Sequence, residues 1–167
     1  AQSFTLKSVP GQSLPAADSK EVAAWKAKAA ELHRAITAAG AILGDAQNRV
    51  KHLKGSLMSI AKPEADFFKD LQSLEQKLGA LQEQFYGDNV RRRLDQPLTE
   101  SIYGNFNNAY YDGYGSTGEP TSTMKAQLEE AQARFAPFLE QLKSLINNDL
   151  RQAELRLEAA GAPYTPG

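Results

Sequence analysis

The chain has 167 residues, enough for one domain with a sizeable core, and a formal net charge of −1 from 19 basic and 20 acidic side chains. That balance excludes the basic excess with which a nucleic-acid binder neutralises phosphates, and the lack of cysteine excludes disulfides and thiolate metal sites. No apolar run approaches the roughly 20 residues that a membrane span needs. The one basic cluster, Arg91-Arg92-Arg93, is too short to alter the reading and fits an exposed connector. The first ten residues lack the pattern of a signal peptide, and the start reads as that of a fragment.

In chain order, "QSFTLKSVPG" alternates, with Phe4 and Leu6 on one side, and closes on Val9-Pro10-Gly11. Residues 1–17 therefore predict an extended segment or linker, the remnant of an upstream β domain or a strand laid along the bundle. Asp18 with Glu21 three positions on has the capping-box spacing and opens a helix over 18–61. Within it Val22, Trp25, Ala29, Leu32, Ile36, Ala39, Leu43, Ala46, Val50, Leu53, Leu57 and Ile60 step strictly by 3 and 4. That is an unbroken heptad seam on a rod of about 63 Å. Gly40, Gly44 and Gly55 interrupt it at places where a partner helix would approach closely. Lys62 before Pro63 ends it.

A second helix is predicted over 63–86, with Phe67, Leu71, Leu74, Leu78, Leu81 and Phe85 as its stripe. Gly87-Asp88-Asn89 stops it, and "VRRRLDQP" reads as a connector. Leu98, Ile102, Phe106 (or Asn105) and Tyr110 predict a short helix over 98–111. The last helix is predicted over 121–160, capped by Thr121, Ser122 or Thr123, with Pro137 bending it locally. Its stripe runs Met124, Leu128, Ala131, Phe135, Phe138, Leu142 and Leu145, then moves to Ile146, Leu150, Ala153 and Leu157, a drift expected of a helix curving round a partner. Gly161 and Pro163 end it. The fold class is all-α: residues 18–167 form an elongated antiparallel up-down helical bundle. Either three rods with a broken middle rod or four helices satisfy the lengths.

Chemistry-bearing constellations are missing from the pattern. His33 and His52 lack a Glu three residues before them, so a di-iron bundle is not indicated, and no His pair has zinc spacing. Gly-rich phosphate loops and nucleophile elbows are absent too. Asp112 and Glu119 flank an aromatic loop but lack the rigid cleft that paired catalytic carboxyls require. No catalytic, cofactor or metal residue is assigned, and no cofactor is expected. The exceptional stretch is "SIYGNFNNAYYDGYGSTGEP", 101–120, which holds Tyr103, Phe106, Tyr110, Tyr111 and Tyr114 among Asn and Gly. Phe106 and Tyr110 are accounted for as core. Tyr103, Tyr110, Tyr111 and Tyr114 with Asn105, Asn107 and Asn108 form the candidate ligand or partner surface, either a bundle corner or a stacking platform for a sugar or a protein.

Three pieces of the C-terminal region carry a likeness: "GEPT" (Gly118–Thr121) leading into a long helix, "FAPFLEQLKSLINNDL" (Phe135–Leu150), and "AGAPYTPG" (Ala160–Gly167). They resemble the helical tail of large bacterial proteins built on a β-propeller of sortilin-like, BNR (Asp-box) repeats, often catalogued as glycosyl hydrolases. "SFTLKSVPG" is similar to the closing propeller strand, although Val9-Pro10-Gly11 stands where an Asp-Pro-Arg usually follows. The resemblance implies an extracytoplasmic protein, periplasmic or secreted, whose glycan chemistry lies in the propeller. It carries over no catalytic residue. The expected role is a non-catalytic structural or interaction module that engages the upstream propeller or another protein. The alternative is an accessory carbohydrate-binding module at 101–120.

Overall fold

The computed structural model describes residues 3, 5, 19–60, 65–97, 99–114 and 118–162. The predicted N-terminal extended segment and the Asp18 cap lie outside these, apart from Ser3 and Thr5. Among the described residues there is no strand, and the elements are α1 (Ser19–Met58), α2 (Ala65–Tyr86), α3 (Asn89–Arg93), α4 (Ile102–Tyr114), α5 (Ser122–Ser144), a π-helical turn (Leu145–Leu150) and α6 (Arg151–Ala159). The protein is an all-α helical bundle. Every position of the predicted α1 seam is buried except Trp25 and Ile60, which are half-buried against the same core. The whole α2 stripe is buried as well.

Pairwise contacts settle the choice between three rods and four helices. Along α1 from its start, Trp25 lies against Gly113, His33 stacks on Tyr110 (4.8 Å) and Phe106 (5.6 Å), and Gly40 lies under Tyr86. Further on, Gln47 Nε2 donates to Gln82 Oε1 at 2.7 Å and Lys54 pairs with Glu75 at 2.8 Å. As α1 numbers rise, α4 and then α2 numbers fall. Both run antiparallel to α1, end to end, as one broken rod. The last rod runs parallel to α1: Phe138 stacks on Phe85 at 4.8 Å, Asp149 pairs with Lys77 and Arg156 with Asp70 at 2.7 Å each, and Glu154 bonds Arg49. At its start Lys125 has a raised pKa, chiefly through its hydrogen bond to Glu119 and further through the charges of Glu119 and of Glu21 on α1. Lengths agree with three rods. At about 1.5 Å per residue, α1 spans about 60 Å, α2 and α4 together about 53 Å, and the last rod about 57 Å.

Boundaries follow local chemistry. α4 begins at Ile102, later than the predicted 98, because the Ser101 hydroxyl accepts from the Gly104 amide at 3.0 Å and caps it there; it then continues past 111 to Tyr114. The stretch read as a connector holds α3, a single turn capped by Asp88, whose carboxylate accepts from Val90 N (2.8 Å) and Arg91 N (3.1 Å). Thr121 caps α5: its hydroxyl accepts from Met124 N, and its own amide meets Met124 Sδ at 3.4 Å, a thioether standing where a capping box has Glu. α6 ends as the sequence predicts. Gly161 has φ +73°, Ala162 N donates to Leu157 O and Gly161 N to Glu158 O, the two bonds of a Schellman cap.

The shift of stripe after Leu145 is a correction in cause. α5 continues through Pro137, and the register changes at the π turn, whose wider ring takes up one extra residue. Leu142, Leu150 and Leu157 are all buried although no strictly alternating 3-and-4 series joins them. Of the three glycines expected to permit close approach, only Gly40 does: a Cβ there would stand 2.5 Å from the Tyr86 hydroxyl and 3.2 Å from Phe85, whereas nothing lies within 4 Å at Gly44 or Gly55.

Two predictions follow from this packing. Deleting exposed Asn147 should convert the π turn to α-helix and join Leu142, Leu145, Leu150, Ala153 and Leu157 in one 3-and-4 series. Its melting temperature should stay within a few degrees of the parent. Deleting the equally exposed Ala38 rotates one half of the α1 seam by about 100° and should unfold the bundle. Equal loss in both variants, followed by circular dichroism, would refute the register assignment. Gly44→Ala and Gly55→Ala should each stabilise by about 0.5–1 kcal/mol, since the space is open and alanine is the better helix former. Gly113→Ala should destabilise by about 1–3 kcal/mol, because its Cβ would meet the Trp25 ring at 2.5–2.7 Å. Urea denaturation checks all three.

Candidate functional site

The site lies at the break in the middle rod, and one glycine makes the break. Gly87 has φ +87°, a conformation costly for any residue with a Cβ, and it turns the chain off the end of α2. The chain then folds back as α3, so that Arg92 Nη2 donates to the Tyr86 carbonyl at 3.1 Å while Nη1 reaches Asn89 Oδ1 at 3.4 Å. Arg92 has no carboxylate partner among the described residues. Its neighbour Arg91 pairs with Asp88 at 3.3 Å.

Two grooves flank the corner and differ in charge. One, of about 300 Å³, has both signs on its walls: Glu83, Asp88 and Glu100 with Arg91 and Arg134. Arg134 closes its far side by donating to the Glu100 carbonyl at 2.5 Å. The other, of about 350 Å³, is lined by Tyr86, Tyr103, Gln82, Asn89, Arg92 and Asn107, with Ser101 and Gly104 at its floor. Among the described residues Arg92 is the one charged side chain on its walls. The two tyrosine rings stand 5.6 Å apart at 52°, opening as a notch. Buried Phe85 holds both from below, edge-on to Tyr86 (4.6 Å, 88°) and tilted to Tyr103 (6.4 Å). The Tyr86 ring reaches over α1 because Gly40 presents no Cβ to its hydroxyl.

The sequence-predicted surface is divided by the helix. Tyr103 is 39% exposed and Asn107 half-buried, both in the notch. Asn105 faces the core: it is 2% exposed, and its Nδ2 has no hydrogen-bond partner among the described residues. Tyr110 is half-buried in a stack with His33 and Phe106. Tyr111, 59% exposed, stands edge-on to Tyr110 at 5.4 Å. Asn108 is exposed, and the Tyr114 side chain lies outside the description. Of the seven, then, the groove gathers Tyr103 and Asn107. Tyr86, Gln82, Asn89 and Arg92 join them from α2 and α3, which the sequence reading treated as core helix and connector. The signal was present in Tyr86-Gly87-Asp88: an aromatic at the last position of a helix, followed by a glycine stop, is held at a corner with one edge in water.

Among the described residues no group of His, Asp or Glu could hold a metal ion, and no helix is long and apolar enough to cross a membrane. Comparison with protein-family models, curated proteins and solved structures returned no match.

Gly87→Ala should cost about 1–2 kcal/mol of stability, since it forces a Cβ into a left-handed conformation. Its Cβ would also stand 3.1 Å from Arg92 Nη2. A urea midpoint equal to the parent's would show that the corner does not depend on this residue.

Proposed function

We propose that the chain is a non-catalytic helical module that sits C-terminal to a β-propeller in a larger, secreted, glycosyl-hydrolase-like bacterial protein. Its task is to pack against that propeller or to assemble with another protein. The propeller itself comes from the sequence likeness of "GEPT", "FAPFLEQLKSLINNDL" and "AGAPYTPG". The observation that carries the interaction role is the corner at α3. Val90 and Leu94 are 67% and 62% exposed, one helical turn apart, amid the exposed Arg91, Arg92 and Arg93. Apolar anchors with arginine and tyrosine around them have the composition of interface centres, whereas the exposed faces of the rods are a mixture of alanine, polar and charged side chains. Most of the charged groups that bridge the rods fix register at the surface, each contributing about 0–1 kcal/mol.

The test is titration of this chain with the separately produced upstream propeller, followed by calorimetry. Saturable association is expected, and Leu94→Asp should weaken it at least about tenfold, the effect of removing one central anchor. Thermal unfolding of the variant should be unchanged, since Leu94 is in water. Association that ignores the Leu94→Asp change would move the interface elsewhere, and no association would refute packing against the propeller. A second role at the same corner, saccharide binding, is supported by the Tyr86–Tyr103 notch.

A further inference from the structure

We infer that the Tyr86–Tyr103 notch binds a single carboxylate-bearing sugar ring, of the uronic-acid type, with Arg92 holding the carboxylate. The inference rests on the saccharide reading and adds to it a charge preference and a set of residues.

Shape comes first. Rings 5.6 Å apart at 52° cannot make one flat platform, so an extended chain of stacked sugars does not fit. A V-shaped notch of about 350 Å³ accommodates one ring, its apolar C–H face on one tyrosine and its edge towards the other. Rigidity comes second. A site gains little from stacking unless its rings are already in place. Here both tyrosines pack on buried Phe85, the Tyr86 hydroxyl is seated over Gly40, and Gln82 is held by its bond from Gln47.

Polar chemistry comes third. Gln82, Asn89 and Asn107 bring amides that can both donate and accept, the pairing that ring hydroxyls need. Arg92 is tethered by the Tyr86 carbonyl and Asn89 and has no carboxylate partner among the described residues. Among the described residues no acidic side chain stands on the groove's walls; Glu100, whose Oε2 approaches Gly104, lines the neighbouring groove. A planar guanidinium fixed beside an aromatic notch, with no ion pair among the described residues, fits a carboxylate better than a hydroxyl. The neighbouring groove, with Glu83, Asp88 and Glu100 on its walls, lacks this bias.

The test uses the intact chain with two probes of the same shape, tri-galacturonate and its methyl ester, which removes the charge and keeps the rings. Binding is followed by amide chemical shifts. Tri-galacturonate should saturate with a Kd of about 1 mM or tighter. The ester should bind at least about fivefold more weakly, and the preference should shrink as salt is raised. Tyr103→Ala should weaken both probes at least tenfold with helicity intact, since that side chain is substantially exposed. Arg92→Gln should remove the preference, so that the two probes bind alike. Gly40→Ala, which displaces Tyr86 from outside the groove, should weaken both. Equal binding of both probes, abolished by Tyr103→Ala, would overturn the acidic specificity and leave the saccharide reading standing. Binding of neither probe would overturn both. A short Asp/Glu peptide binding through Tyr103 and Arg92 where the sugars fail would transfer the site to a protein ligand and overturn the inference.

Discussion

The structure depends on covering the seam of α1. An apolar stripe about 60 Å long must be removed from water along its whole length, and a stripe left open would be an aggregation surface. α2 covers the half from Gly40 to Leu57, where Gln47 meets Gln82 and Lys54 meets Glu75. It is too short to go further. α4 takes over at His33 and reaches Trp25 through Gly113. The last rod closes the third side, placing Leu142, Leu150 and Leu157 in the same core as Leu43 and Leu71. The broken middle rod is thus the consequence of an unbroken first one.

A break in a rod has to be made somewhere, and the residues that make it are the ones that expose chemistry. Gly87 turns the chain, Asp88 caps the single turn of α3, and Ser101 caps the start of α4. Between these points no long apolar stripe demands burial. Val90 and Leu94 are left in water, Arg92 folds back on the end of α2, and Tyr86 and Tyr103 face each other across the gap. The bundle supplies rigidity through Phe85, and the corner supplies accessible groups. A ligand or partner site at the discontinuity needs no cleft elsewhere in the fold.

The last rod solves a different difficulty. Its apolar residues fall on two stripes out of phase by one residue. A strictly α-helical rod would rotate Leu150 and Leu157 away from the core, or Phe138 and Leu142 out of it. The π turn at Leu145–Leu150 absorbs the mismatch, so both stripes face α1 and α2. Arg49 and Glu154, pinned to each other across the rods, lie just beyond the turn and mark the register it restores. The buried Asn105 amide has no such resolution among the described residues, and it stands as a polar group in the core of α4 without a partner for its Nδ2.

Periodicity alone determined the all-α class, the three stripes and nearly every buried residue from Val22 to Leu157, because a 3-and-4 spacing is meaningful only if one face of a helix is inside. It also determined the ends at Gly87 and Gly161, where glycine in a left-handed conformation stops a helix whatever surrounds it. That the middle rod runs straight on along α1 instead of folding back was decided by tertiary packing, since both arrangements satisfy the same stripes and only the pairing of His33 with Phe106 and of Gly40 with Tyr86 separates them. The candidate site was legible in part. Tyr103 and Asn107 stand out by composition, but Tyr86, Gln82 and Arg92 read as ordinary helix and connector, and Asn105, which spacing offers both as a stripe position and as surface, has its place in the core. A side chain's type and spacing state which face of its own helix it occupies. What stands opposite that face, four or eighty residues away in sequence, is settled only when the rods are side by side.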